Sequence, residues 1–142
     1  MRCARAPLSC LLLLSISCSD ARQLISLSRD FNREYPDTRV GVSLTDRIIL
    51  TVTLGDSPLV LAPCERQAGL AVRVAGFLRD HYEGLDSLST VSIAFTTRKP
   101  EGIPPKQVRL PFRFAPAAIR AGLTAADSAR AVAACRAWEE LQ

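Results

Sequence analysis

Thr38-Arg39-Val40-Gly41-Val42-Ser43-Leu44-Thr45-Asp46-Arg47-Ile48-Ile49-Leu50-Thr51-Val52-Thr53-Leu54 contains two runs of period-two alternation. Val40, Val42 and Leu44 fall on one side of the first run, with Arg39, Gly41 and Ser43 on the other. In the second, Ile48, Leu50, Val52 and Leu54 alternate with Ile49, Thr51 and Thr53. Successive side chains of a strand point to opposite faces, so each run reads as a half-buried strand. Only Thr45 and Asp46 separate the runs, and a tight hairpin is expected even without an Asn-Gly turn.

The pattern recurs downstream. Val91, Ile93 and Phe95 alternate with Ser92, Ala94 and Thr96, and Val108, Leu110, Phe112 and Phe114 alternate with Arg109, Pro111 and Arg113. These suit a second hairpin with a long connection. Pro111 has no N–H to give a ladder, which places the last strand at an edge or its proline at a bulge.

Helical spacing fills the intervals. Leu24, Leu27, Phe31 and Tyr35 recur at helical steps before Pro36 ends the segment. From Glu65 to Tyr82 there is no proline, and Ala71, Val74, Ala75, Leu78 and Tyr82 form one stripe. Thr124 and Asp127 look like an N-cap with an acidic first turn, opening an Ala-rich helix to about Leu141. Ala129, Val132, Ala133 and Trp138 give that last helix no clean apolar face.

The expected order is helix, strand, strand, helix, strand, strand, helix. Because one strand face is apolar and the other carries Ser, Thr, Gly and Arg, the fold class is α+β. It is expected as a two-layer sandwich, a four-stranded antiparallel sheet with helices on one face. The other face, bearing Thr51, Thr53, Thr96, Arg109 and Arg113, is left to water or a partner, and an edge is left to a further strand.

The first residues read differently. Arg2 and Arg5 are followed by an apolar run from Leu8 to Ile16 and then by small residues, the layout of a secretory signal. The run is about ten residues, against roughly twenty for a spanning helix. Leu14, Ser15, Ile16 and Ser17 before Cys18 resemble the lipobox of bacterial lipoproteins, with Ser15 where such signals usually carry an aliphatic residue. The resemblance covers the leader alone. It implies a leader of 1–17, acylation of Cys18 as the first mature residue, a short tether over 18–23, and a single domain over 24–142. It further implies anchoring in the lipid bilayer through acylated Cys18. Ser19 after the cysteine points to the periplasmic face of the outer membrane. An ordinary signal cut after Ser19 or Ala21 would instead release a soluble periplasmic protein.

Of five cysteines, Cys3 and Cys10 lie in the leader and Cys18 is assigned to lipid, leaving Cys64 and Cys135. An even remainder outside the cytoplasm points to a disulfide, with two buried thiols as the alternative. Lys and Arg number 18 against 14 Asp and Glu, and loss of Arg2 and Arg5 leaves 16 against 14. Such balance gives no reason to expect nucleic acid as a partner.

No motif for catalysis, metal or cofactor stands out. His81, the only histidine, lies beside Asp80 and Glu83, but adjacent helical residues diverge by about 100° and no HExxH spacing accompanies them. Ser57 in Asp56-Ser57-Pro58 is turn chemistry, and a Cys64–His81 thiolate pair competes with the disulfide. The loop from Arg98 to Gln107 is the most distinctive surface feature: prolines stiffen it, Ile103 is its apolar tip, and Arg98, Lys99, Lys106 and Arg109 gather charge at its base. Its default reading is a long hairpin connection with solvated flanks, and it is the candidate contact with an envelope protein partner or anionic head groups. The expected function is a non-enzymatic exported cell-envelope lipoprotein acting by contact. The alternative is a soluble periplasmic enzyme or small-ligand-binding protein.

Overall fold

The computed structural model describes residues 9–56, 59, 61–97, 106–107 and 110–141. In chain order the elements are α1 (Ser9–Glu34), β1 (Arg39–Thr45), β2 (Ile49–Gly55), α2 (Cys64–His81), a 3-10 turn (Glu83–Ser87), β3 (Thr90–Thr97), β4 (Lys106–Gln107), β5 (Phe112–Phe114), α3 (Pro116–Ala121) and α4 (Ala125–Glu140). The fold is α+β.

The sheet is mixed, which corrects the all-antiparallel expectation. β1 and β2 form the antiparallel hairpin, but β2 pairs with β3 in parallel. The reason is the connection: α2 lies between β2 and β3, and a helical crossover returns the chain to run in the same direction. β4 and β5 then both pair antiparallel with β3. The expected seven-element order is also extended, by the short helix α3, the 3-10 turn and the splitting of the last strand.

Pro111 marks that split. Between Ile93↔Phe112 and Thr96↔Gln107, β3 advances three residues while the opposite strand spends five. Pro111 itself stands just before β5, outside the strand residues, where its missing N–H takes nothing from the ladder. Among the described residues β5 has β3 as its one strand neighbour, which agrees with the edge option for the strand that follows Pro111.

Register explains the core. Leu44, Leu50, Val91 and Phe114 form one row across the sheet, Val42, Val52, Ile93 and Phe112 the next, and Val40, Leu54 and Phe95 a third. Leu50, Val52, Leu54, Val91 and Ile93 are fully buried. On the opposite face run Ser43, Thr51, Ser92 and Arg113. The apolar rows share one cluster with Leu27 and Phe31 of α1 and with Ala71, Val74, Ala75 and Leu78 of α2. The stripe read from Glu65 to Tyr82 is thus the buried face of α2.

The hairpin turn differs by one step from the sequence reading. Asp46, Arg47 and Ile48 form the loop, Asp46 and Arg47 both have positive φ (50° and 62°), and the Ile48 N–H donates to the Thr45 carbonyl at 3.1 Å. Ile48 is consequently exposed rather than in the apolar row. Its carbonyl instead accepts from the Ser89 N–H at 2.7 Å and the Ser89 hydroxyl at 3.1 Å, fixing the entry to β3.

Helix α1 is continuous through residues 18–23, the stretch expected as a tether. Asp20, Gln23 and Leu24 are half-buried and lead at helical spacing to buried Leu27 and Phe31. Among the described residues, no helix is long and apolar enough to cross a membrane.

Candidate functional site

Cys18 lies on α1, exposed and with a free thiol. It stands nine positions before Leu27, the first residue of the helix that is buried among those whose burial is described, or about 14 Å along the axis at 1.5 Å per residue. The other two cysteines of the domain are joined: Cys64 and Cys135 form a disulfide whose Cα atoms are 5.6 Å apart. The bridge ties the first turn of α2 to the middle of α4, and beside it Arg136 of α4 pairs with Glu65 of α2. Backbone hydrogen bonding at Glu65 itself, and after it that pairing, holds the Glu65 carboxyl below the usual range. A Cys64–His81 catalytic pair is removed from consideration, since Cys64 is covalently engaged.

The residues around His81 do not converge. His81 stacks on Phe77 with ring centroids 3.7 Å apart, and its Nδ1 lies 2.9 Å from the Phe77 carbonyl one turn earlier. Asp80 pairs with Arg79 at 3.2 Å. Among the described residues there is no group of three or more His, Cys, Asp or Glu placed to hold a metal ion. Ser57, Arg98, Lys99, Ile103 and Arg109 lie outside the described residues, and Lys106 enters as the first residue of β4.

A concave feature among the described residues lies elsewhere, between β5 and α4, with a volume of about 540 Å³. Every residue from Leu110 to Ala115 lines it on the strand side. From α4 it is lined by Asp127, Arg130, Ala131, Ala134 and Trp138, a single stripe at helical spacing. Leu110 is largely exposed at its rim. Its size and apolar walls with few polar groups match those of ordinary binding sites.

Its charged end is organised by the start of α4. Thr124 accepts from the Asp127 N–H through its hydroxyl oxygen, and the Asp127 carboxylate accepts from the Thr124 N–H at 2.8 Å, closing a reciprocal cap. The same carboxylate pairs with Arg130. These donors, the Thr124 N–H first, hold the Asp127 carboxyl below the usual carboxylate range. Arg113, by contrast, is exposed and has no ion-pair partner among the described residues.

Sequence reasoning missed this groove because alanine carries little hydrophobic signal. Ala131, Ala134, Cys135 and Trp138 do share a face, but small residues do not announce one. The signal that was legible is the cap: Thr124 and Asp127 fix the helix start and therefore its phase. No family model, curated protein or solved structure matches this chain.

Proposed function

We propose that this chain is an exported cell-envelope lipoprotein, held at the outer membrane through acylated Cys18 and acting by contact with an envelope protein. The observation that carries this reading is the division of the cysteines among the described residues: Cys64 and Cys135 are joined to each other, while Cys18 is free and exposed. A disulfide suits an oxidising compartment. The exposed thiol follows a signal-like leader in the position where acylation occurs in proteins of that class.

The start of α1 also suits a processed end at Cys18. Asp20 would then fall in the first helical turn, where a carboxylate is favoured by the helix dipole. Acylation of the new amine would remove the positive charge that the dipole disfavours. Burying acyl chains contributes about 0.8 kcal/mol per methylene, and more than one chain suffices for stable anchoring.

Helices on one face of a two-layer arrangement would leave Ser43, Thr51 and Arg113 of the opposite row toward the partner, with Ser92 buried between Thr51 and Arg113. This is supported by the alternation in β1, where Val40 is buried while Gly41, Ser43 and Thr45 are exposed. The competing enzyme reading loses its nominated residues: His81, Asp80 and Cys64 are engaged separately and none lines the groove.

The test is metabolic labelling with a fatty acid in cells expressing the parent chain or Cys18→Ala. Label on the parent and none on the variant is expected. An unlabelled parent chain cut after Ser19 or Ala21 would contradict the proposal.

A further inference from the structure

We infer that the groove between β5 and α4 receives an extended acidic peptide segment of an envelope partner, added as a strand to the free edge of β5. The inference rests on the contact-based function above but not on the lipid anchor, and it names the surface and the chemistry it selects.

The lining pattern shows what the groove is made of. Side chains of successive strand residues point to opposite faces, yet residues 110 through 115 all line the space. A cavity touched by every residue of a strand lies along its edge. β5 pairs with β3 on one side, and among the described residues no strand pairs with its other side. One wall of the slot is therefore the strand edge that, among the described residues, no other strand pairs. An apolar helix stripe, Ala131, Ala134 and Trp138, forms the other.

These two walls fit an extended chain. Main-chain hydrogen bonds to the edge supply affinity, and alternate side chains enter the helix-side pocket to supply selectivity. Small alanines leave the width for such a chain, and Trp138 offers a flat apolar surface at one end. The charge chooses the sign of the guest. Arg130 is already balanced by Asp127, whereas Arg113 is exposed and unpaired among the described residues. A carboxylate on the incoming strand next to Arg113 completes that balance.

Trp138 is the only tryptophan in the chain, so its emission reports the occupancy of the slot. The experiment titrates the full chain, held in detergent, with acetyl-Val-Thr-Val-Glu-Val-amide. Controls are the same peptide with alternate backbone nitrogens methylated and a version with Lys in place of Glu. A saturable shift of Trp138 emission is expected from the first peptide. Binding should weaken about tenfold for the methylated peptide, for the Lys peptide and for Arg113→Glu, each tenfold being about 1.4 kcal/mol. Ala134→Phe, at an exposed position, should fill the slot and abolish the response with an unchanged thermal melt.

Equal binding of the methylated peptide would mean apolar filling by any amphiphile and would overturn strand addition. So would a silent Trp138, or a dimer in sedimentation before peptide is added, which would assign the edge to a second copy. An unacylated Cys18 leaves all of these readouts unchanged, so failure of the anchor and failure of the slot are separate results.

Discussion

Arg47 holds a backbone conformation its side chain does not favour. At φ 62° it follows Asp46 at φ 50°, and a left-handed residue other than glycine costs about 1–2 kcal/mol. The hairpin accepts this because positive φ at both central residues matches the twist of the strands. Arg47→Gly is therefore expected to stabilise the fold by about 0.5–1 kcal/mol in urea titration, the relief of strain exceeding the added chain entropy. Unchanged or lower stability would mean that the turn is not strained. Gln67 is the reverse case, a fully buried polar side chain whose Nε2 donates to the Leu59 carbonyl at 3.0 Å. Gln67→Leu keeps the volume and removes the donor while the Leu59 carbonyl still accepts from the Ala62 N–H at 3.0 Å, and is expected to cost about 0.5–1.5 kcal/mol by the same titration.

At the scale of elements, α4 buries little of its own surface for its sixteen residues. Ala131 and Cys135 are its only buried residues among those described, so docking depends on the bridge to Cys64. Closing a separation of 71 residues is worth about 4 kcal/mol in the chain-entropy model. Cys64→Ala with Cys135→Ala is expected to lose about that much, with amide exchange rising first in α4. Uniform exchange across α2 and α4 would contradict separate docking. Asp127 adds a pH term at the same helix. Its folded pKa is depressed by Thr124 and Arg130, so its contribution is present above the unfolded value near 3.9 and is lost as pH falls through the folded one. Melting temperature followed from about pH 5 to pH 2 should show an acid decline that is shallower in Asp127→Asn.

The elements also show where sequence reading reached and where it stopped. Alternation from Val40 to Leu54 and the Ala71 to Tyr82 stripe gave the hairpin and α2, since large apolar residues at a fixed period carry both element and buried face. Strand direction was not legible, because Val91, Ile93 and Phe95 present the same alternation to a parallel or an antiparallel neighbour. The helix expected between the second and third strands fixes the direction only once β2 and β3 are known to be neighbours, and alternation does not encode who the neighbour is. Helix α3 passed unread although Pro116 opens it and Gly122, at φ 93°, ends it. Its six residues are too few for a periodic signal. Of the site, the disulfide was legible from cysteine count, and the β5–α4 slot was not, because an edge and a row of alanines leave no pattern.

At the scale of the whole molecule, α1 connects the proposed anchor to the core. Phe31 is fully buried and its ring lies 4.7 Å from that of Phe77 on α2, so the helix bearing Cys18 is packed rather than loosely tethered. Phe31→Ala is expected to destabilise the domain by about 3–5 kcal/mol in thermal or urea unfolding. A loss below 1 kcal/mol would mean that α1 is not part of the folded unit. With α1 docked, an acylated Cys18 would hold the domain within about 14 Å of the bilayer surface at a restricted orientation. The most direct measurement is the intact mass and N-terminal sequence of the chain recovered from its native envelope. A membrane-bound chain starting at Cys18 and carrying acyl groups is expected, whereas a soluble, unmodified chain starting at Asp20 or Arg22 would contradict the anchored account.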